Sequence, residues 1–244
     1  MNSNFKHFES WLSFQNFQSE IRQKARYIHS EKTRLFLETV LKTAKDRITQ
    51  IPKGFIYWRA QSGCILPKTD DGFEFPFSKD RMKPRIDRAN EGRINPKGIP
   101  CLYMALKRDT ALAEVRPWVG AKISVSQCKI IKNLSVINCY SDTKLKISHG
   151  EPPPKERTEM VWAYIDRAFS EPVTPEDDIA DYVPTQIIAE LFKQNDFDGI
   201  AYGSSLGEGH NLALFDIDKA DIANVQIYEL KQISFEFKKA EGPY

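Results

Sequence analysis

Apolar positions in the first fifty residues recur at helical spacing. Phe5, Phe8, Trp11, Leu12 and Ile21 fall near i, i+3, i+4, and so do Leu35, Phe36, Thr39, Val40 and Leu41. Residues 4–48 therefore predict two helices, with Ser30 as N-cap of the second. From residue 55 the pattern changes. "FIYWRA" (55–60) and "CLYMAL" (101–106) are rich in β-branched and aromatic residues and predict strands. The run 121–138 predicts one or two more, and "DGIAYG" (198–203), "NLALFDI" (211–217) and 224–237 complete the set. Helical spacing returns over 155–169, where Met160, Val161, Tyr164 and Ala168 share a face, and over 185–194, behind Pro184 in a first turn. A short helix over 110–115 has Asp109 as cap and is stopped by Pro117. Helices fall between groups of strands without regular alternation, which predicts an α+β fold. The division is an α-helical extension, 1–50, followed by a main domain, 51–244.

Residues 61–100 lack periodicity and are polar, long for a connection in a compact domain, and long ordered loops are often functional. Charge gives this region more weight. Between residues 79 and 108, nine basic side chains face three acidic ones, whereas 151–182 has nine acidic and three basic. The chain as a whole carries only +2, so a polyanion such as nucleic acid is not the expected partner, and a small anion suits the basic segment better. Apolar residues make up 41% and charged residues 28%, the balance of a soluble globular protein. No apolar run approaches the ~18 residues of a membrane span. Cysteines 64, 101, 128 and 139 form no C-x-x-C pair and no metal-ligand spacing, which predicts a reducing compartment and no metal. With no apolar signal core after Met1, the expected location is cytoplasmic.

The stretch Gly203-Ser204-Ser205-Leu206-Gly207 fits the G-x-S-x-G elbow of serine hydrolases, with Ser205 as nucleophile. That motif requires a helix after the turn and an acid and histidine downstream. Here a strand-like segment follows, and the histidine after Ser205 is His210, five residues on. No Gly-Lys-Ser/Thr follows either, so the stretch is not a nucleotide-triphosphate loop. A Gly/Ser-rich turn between two strands, with hydroxyls and N–H groups available to a ligand, is what the residues support.

Three separated blocks, taken together, resemble the RES family, named for an arginine, a glutamate and a serine. "YWRA" carries Arg59; residues 91–121 carry Gly92-Arg93, Asn95, Gly98, Tyr103 and Ala111-x-x-Glu114; residues 197–216 carry Ser204. The resemblance spans 55–237. It implies a fold similar to ADP-ribosyltransferase toxins, with NAD in a cleft between two small sheets. It also implies cleavage of the nicotinamide–ribose bond by phosphate or by water, in the toxin of a toxin–antitoxin pair. The implied partner is an Xre-like helix-turn-helix antitoxin, and NAD is substrate, with inorganic phosphate as co-substrate, not a bound cofactor. A homodimer is a further expected assembly. Two positions depart from the family pattern: Gln61 stands where many members have a second arginine, and Ile94 where many have tryptophan.

The resemblance implies Arg59, Glu114 and Ser204 as catalytic residues; Arg93, Asn95 and Tyr103 of its middle block are expected to contact NAD, as are Ser205, the fallback for Ser204, and Asn211 by proximity. The chemistry suits the residue types. A guanidinium presents a planar donor fork to phosphate oxygens. A carboxylate stabilises an oxocarbenium-like ribose while nicotinamide leaves as a neutral molecule. Ser204 would then hold a ribose hydroxyl or the incoming phosphate. Tyr103 is the favoured stacking surface, with Tyr57 and Trp58 expected in the core; Tyr57 and Arg59 share a strand face and Trp58 the other. His210 could line the site or serve a turn. Transfer of ADP-ribose to a protein, a Ser205 hydrolase and a non-catalytic binding module are the alternatives.

Overall fold

A computed structural model describes residues 7–66, 72–141, 150–171, 179–234 and 237 of the 244-residue chain. Helices α1 (Ser13–Gln23) and α2 (Glu31–Ala44) open the chain, and the Ser30 side chain caps α2 by accepting from Thr33 N. Strand β1 (Ile48–Ile51) follows, then β2 (Ile56–Ser62), α3 (Lys79–Met82), β3 (Leu102–Ala105) and α4 (Arg108–Glu114). Next come β4 (Lys122–Ile130), β5 (Leu134–Asn138), α5 (Pro154–Ser170), α6 (Val183–Gln194), β6 (Gly199–Gly203), β7 (His210–Leu214) and β8 (Ala220–Glu229). Among the described residues, no helix is long and apolar enough to cross a membrane. None of the four cysteines is paired, and no His/Cys/Asp/Glu cluster suited to a metal occurs among the described residues.

The α+β class stands, but the two small sheets become one. Eight strands join in the order β1-β5-β6-β7-β3-β2-β4-β8, antiparallel except for β5 with β6. The reason is β2, which pairs along its length with β4 and touches β3 through one residue pair, Trp58 with Ala105. The sheet is therefore continuous but pinched at a seam between two halves.

Strand alternation sends successive side chains of the central strands into two cores. Ile137, Ile200, Tyr202 and Ala213 enter the first, and Leu134, Val136, Ala201, Leu212 and Leu214 enter the second. Both faces are covered, which is why these strands read as unbroken apolar runs. The first core is roofed by α1, α2, α5 and α6: Phe14, Phe17, Phe36 and Val40 share it with Trp162, Ile165, Phe169 and Phe192. Trp162 is fully buried and its Nε1 donates to Thr43 Oγ1 on α2 at 3.1 Å. The N-terminal helices are thus part of the main core, each buried phenylalanine contributing about 1.5–3 kcal/mol.

Several local expectations shift. Ile48–Ile51 forms an edge strand on β5, where the sequence suggested only the end of a helical region. Helix α4 begins at Arg108, so Asp109 lies in its first turn and is not its cap. Ile131, Lys132 and Asn133 separate β4 from β5, and Asn133 Oδ1 accepts from Lys53 N. The last strand runs earlier than 224–237, ending at Glu229; residues 235 and 236 lie outside the described residues.

Candidate active site

The site forms where β2 and β3 part. A cavity of about 250 Å³ opens beside the Trp58–Ala105 pair, lined by Trp58, Arg59, Tyr103, Glu114, Tyr202 and Asn211 among others. Five elements supply these side chains, and α4 packs across β2, β3 and β4 to bring Glu114 to the opening. A second cavity, of about 440 Å³, shares the Arg59 and Tyr103 wall and continues past Gln61, Arg81, Arg85 and Arg88. Together they make one cleft with a carboxylate at one end and guanidinium groups at the other.

Glu114 is the centre of the smaller cavity. Its Oε1 accepts from Ser204 Oγ at 2.9 Å and from Asn211 Nδ2 at 2.6 Å. Among the described residues both donors reach the same oxygen. Asn211, on β7, is 5% exposed, so the carboxylate orientation is fixed by a buried amide. The connection after β6 places Ser204. Thr110 Oγ1 on α4 donates to Glu208 O at 2.7 Å, and Lys107 pairs with the Glu208 side chain at 2.5 Å. Gly207 lies so close that an added Cβ would sit 2.6 Å from Thr110 Oγ1. The glycine of the elbow-like motif is thus a packing requirement against α4.

That geometry overturns the Ser205 hydrolase reading. The segment after the turn is strand β7, not a helix. Ser205 Oγ donates to Ser170 O at 2.9 Å at the end of α5, while His210 Nε2 pairs with Tyr57 OH at 3.1 Å. Ser205 and His210 therefore do not pair, and burial lowers the His210 pKa from its ordinary value.

Arg59 lies under the seam, oriented by two backbone carbonyls. Its Nε donates to Met82 O at 2.7 Å and its Nη1 to Tyr103 O at 2.8 Å. Met82 is fully buried, so α3 acts as an anchored clip behind the guanidinium. Burial is the main cause lowering the Arg59 pKa from its ordinary value, and nearby Arg81 acts in the same direction. Arg81 itself donates to Gln61 Oε1 at 2.8 Å.

Other sequence-derived candidates serve the walls. Asn95 is 4% exposed; its Nδ2 donates to the carbonyls of Asn90, Pro96 and Ile99, and its Oδ1 accepts from Tyr103 OH at 2.7 Å. Tyr103 OH also accepts from Ile94 N, so these two residues hold the 89–99 loop and leave the Tyr103 ring to line both cavities. Arg93 donates through Nη1 to Phe169 O at 2.6 Å, satisfying a carbonyl near the C-terminus of α5, and lines neither cavity. Tyr57 is buried in the second core as expected, but Trp58 lines the smaller cavity.

Two residues of the site escaped the sequence reading. Tyr202 lines the smaller cavity, and burial raises its pKa above the ordinary value. Asp166 accepts from Gly203 N at 2.8 Å and from Ser141 N at 3.2 Å, fixing the end of β6 beside Ser204. An acidic residue on the otherwise apolar inner face of 155–169 was the available signal for Asp166.

Residues 57–238 match the family model for the RES domain. No curated protein shows significant sequence similarity to the chain. Among solved structures, a chain in the crystal structure of the M. tuberculosis MbcT–MbcA toxin–antitoxin complex is 13% identical, with a TM-score of 0.45 over 79% of this chain and 92% of that one.

Proposed function

The chain belongs to the RES domain family, and on that premise we propose that its cleft binds NAD and breaks the nicotinamide–ribose bond, as the toxin of a toxin–antitoxin pair. The observation that carries this reading is Glu114, held through one oxygen by Ser204 and Asn211 and facing the cavity that joins the arginine-lined one at Arg59. NAD has matching parts: a pyrophosphate for a guanidinium fork, and a ribose carbon that becomes cationic as its bond breaks.

In this reading Glu114 lies beside C1′ of the nicotinamide ribose, and its free oxygen takes a ribose hydroxyl. The C1′–N bond breaks with its electron pair going to the nicotinamide nitrogen, which neutralises the ring, so no acid is needed. The carboxylate stabilises the oxocarbenium-like centre until a phosphate oxyanion bonds to C1′, or water bonds there and loses a proton to solvent. The fixed orientation of Glu114 suits this role, since preorganised charge costs no rearrangement during the reaction. Ser204 and Asn211 act as positioning residues for Glu114, Arg59 holds the pyrophosphate, and Tyr103, Trp58 and Tyr202 flank the nicotinamide. An Xre-like helix-turn-helix antitoxin, the partner implied by the family resemblance, would inhibit by covering the cleft.

Product analysis tests the reading. Purified protein incubated with NAD is expected to release nicotinamide, with ADP-ribose in phosphate-free buffer or ADP-ribose 1″-phosphate when phosphate is added. Intact NAD in both conditions contradicts it, and ADP-ribose attached to a protein would replace hydrolysis or phosphorolysis by transfer. The adjacent serines give a finer check. Ser204→Ala loses a hydrogen bond to Glu114, a neutral-donor contact to a charge, and is expected to lower kcat by about tenfold. Ser205→Ala should cost less, because its hydroxyl is directed at α5; the reverse order would count against the Glu114–Ser204 arrangement.

A further inference from the structure

We propose that the Tyr202 hydroxyl recognises the carboxamide of the nicotinamide ring by donating to its carbonyl oxygen, so that the cleft selects dinucleotides whose leaving pyridine carries a 3-carbonyl group. This rests on the reading of the cleft given above, in which the nicotinamide lies in the smaller cavity beside Glu114. Sheet register builds the place for the ring. Tyr202 on β6 pairs with Asn211 on β7, Asn211 with Ala105 on β3, and Ala105 with Trp58 on β2. Directly opposed residues project to the same face, and all four line the smaller cavity. Ala105 is the gap in this row. Its methyl group leaves a floor on which a flat ring can lie, with Trp58 at one end, Tyr202 at the other and Glu114 brought to it by α4.

Tyr202 is the side chain of this row that the fold leaves unsatisfied. The residue is 8% exposed, and its ring packs against the fully buried Phe169 with centroids 6.0 Å apart, which fixes where the hydroxyl sits. Among the described residues nothing donates to that hydroxyl or accepts from it. Asn211, beside it in the row, is spent on Glu114 Oε1. Among the described residues, the side-chain atoms sealed in the interior without a partner are Gln15 Oε1, Thr33 Oγ1 and Asp181 Oδ1. The Tyr202 oxygen is not one of them, so it opens on the cavity that the residue lines. Burial raises the Tyr202 pKa above its ordinary value, the Glu114 charge acts in the same direction, and the proton stays on the oxygen. A hydroxyl in an apolar setting whose proton has no acceptor costs free energy that a ligand carbonyl recovers. The carboxamide oxygen is the acceptor that the ring offers, since the ring nitrogen is bonded to C1′ and the ribose hydroxyl is placed on Glu114.

A cycle of two deletions tests the contact. Tyr202→Phe removes the donor, and the dinucleotide carrying pyridine in place of nicotinamide removes the acceptor, so that differences in leaving-group reactivity cancel. One hydrogen bond from a neutral donor is worth roughly tenfold. Tyr202→Phe is therefore expected to lower kcat/KM for NAD by that factor, and kcat/KM for the pyridine analogue much less. The 3-acetylpyridine analogue, which keeps the carbonyl and lacks the amide nitrogen, should lose as much as NAD. Equal losses for NAD and the pyridine analogue overturn the inference and leave the proposed function standing. A loss for NAD that the acetylpyridine analogue does not share also overturns it, because the amide nitrogen would then be the group recognised.

Thermal unfolding gives a second readout. A hydroxyl with no partner in the protein adds nothing to the fold, so Tyr202→Phe should melt no lower than the wild type. A clear loss of stability overturns the inference by giving the hydroxyl a structural partner. If no dinucleotide is cleaved the proposed function fails, and ligand-observed NMR with nicotinamide and pyridine still decides the site. A preference for nicotinamide that disappears in Tyr202→Phe supports recognition of the carboxamide. Equal binding of the two, or a preference unchanged in the variant, overturns it.

Discussion

Replacing Glu114 by glutamine is expected to lower kcat for NAD cleavage by about a thousandfold, the scale of losing one preorganised electrostatic contact to a developing charge. Glutamine keeps an amide oxygen able to accept from Ser204 and Asn211, so the packing of β7 against α4 survives. What it removes is the negative charge. The loss should therefore appear in kcat with KM nearly unchanged, as befits an interaction made mainly in the transition state. Steady-state kinetics with a thermal melt checks both halves. A folded Glu114→Gln variant with near-wild-type kcat would show that the carboxylate charge does not act on the reacting bond. Glu114→Ala is a less informative variant, because it also leaves the buried Asn211 amide without its acceptor.

Arg59→Lys is expected to lower kcat/KM by about a hundredfold, mostly through KM, because two charge-assisted hydrogen bonds are each worth about 1.5–3 kcal/mol. Lysine retains the positive charge, so a purely electrostatic role would leave activity largely intact. The geometry argues for the fork. Nε and Nη1 are committed to Met82 O and Tyr103 O, which leaves the other edge of the plane for a pyrophosphate. An ammonium group cannot serve the two carbonyls and the anion together in that arrangement. Kinetics near wild type for Arg59→Lys would mean that position and planarity are unimportant and that the pyrophosphate binds elsewhere.

Much of this architecture is legible in the sequence because it is local. Helical spacing marks α2, α5 and α6, and the apolar runs mark β2, β3, β6 and β7. The dense apolar character of 198–203 also has a local cause, since β6 faces a core on each side. What the pattern could not carry depends on long-range pairing. β1 has four residues and gains its identity from β5, eighty-odd positions away. The merging of two expected sheets turns on one pair, Trp58 with Ala105, which no periodicity reveals.

The site divides along the same line. Residue type and order singled out Arg59, Glu114 and Ser204; the structure brings Arg59 and Glu114 to one cleft and places Ser204 against Glu114, an arrangement that only the fold determines. The one-residue distinction between Ser204 and Ser205 rests on Gly207 packing against Thr110, a contact between segments almost a hundred positions apart. Asn95 and Arg93 have the chemistry of ligand-binding residues, but their polar atoms close the 89–99 loop and the end of α5. Arg81 was one cation in a basic segment until α3 placed it beside Gln61.

A crystal structure with carba-NAD, whose nicotinamide linkage does not cleave, tests the central claim most directly. The arrangement predicts C1′ of the nicotinamide-side ring within about 3.5 Å of the Glu114 carboxylate, the range of a near-attack geometry, with the pyrophosphate on the Arg59 guanidinium. A complex with the pyrophosphate away from Arg59 and the nicotinamide ring out of reach of Glu114 would contradict it.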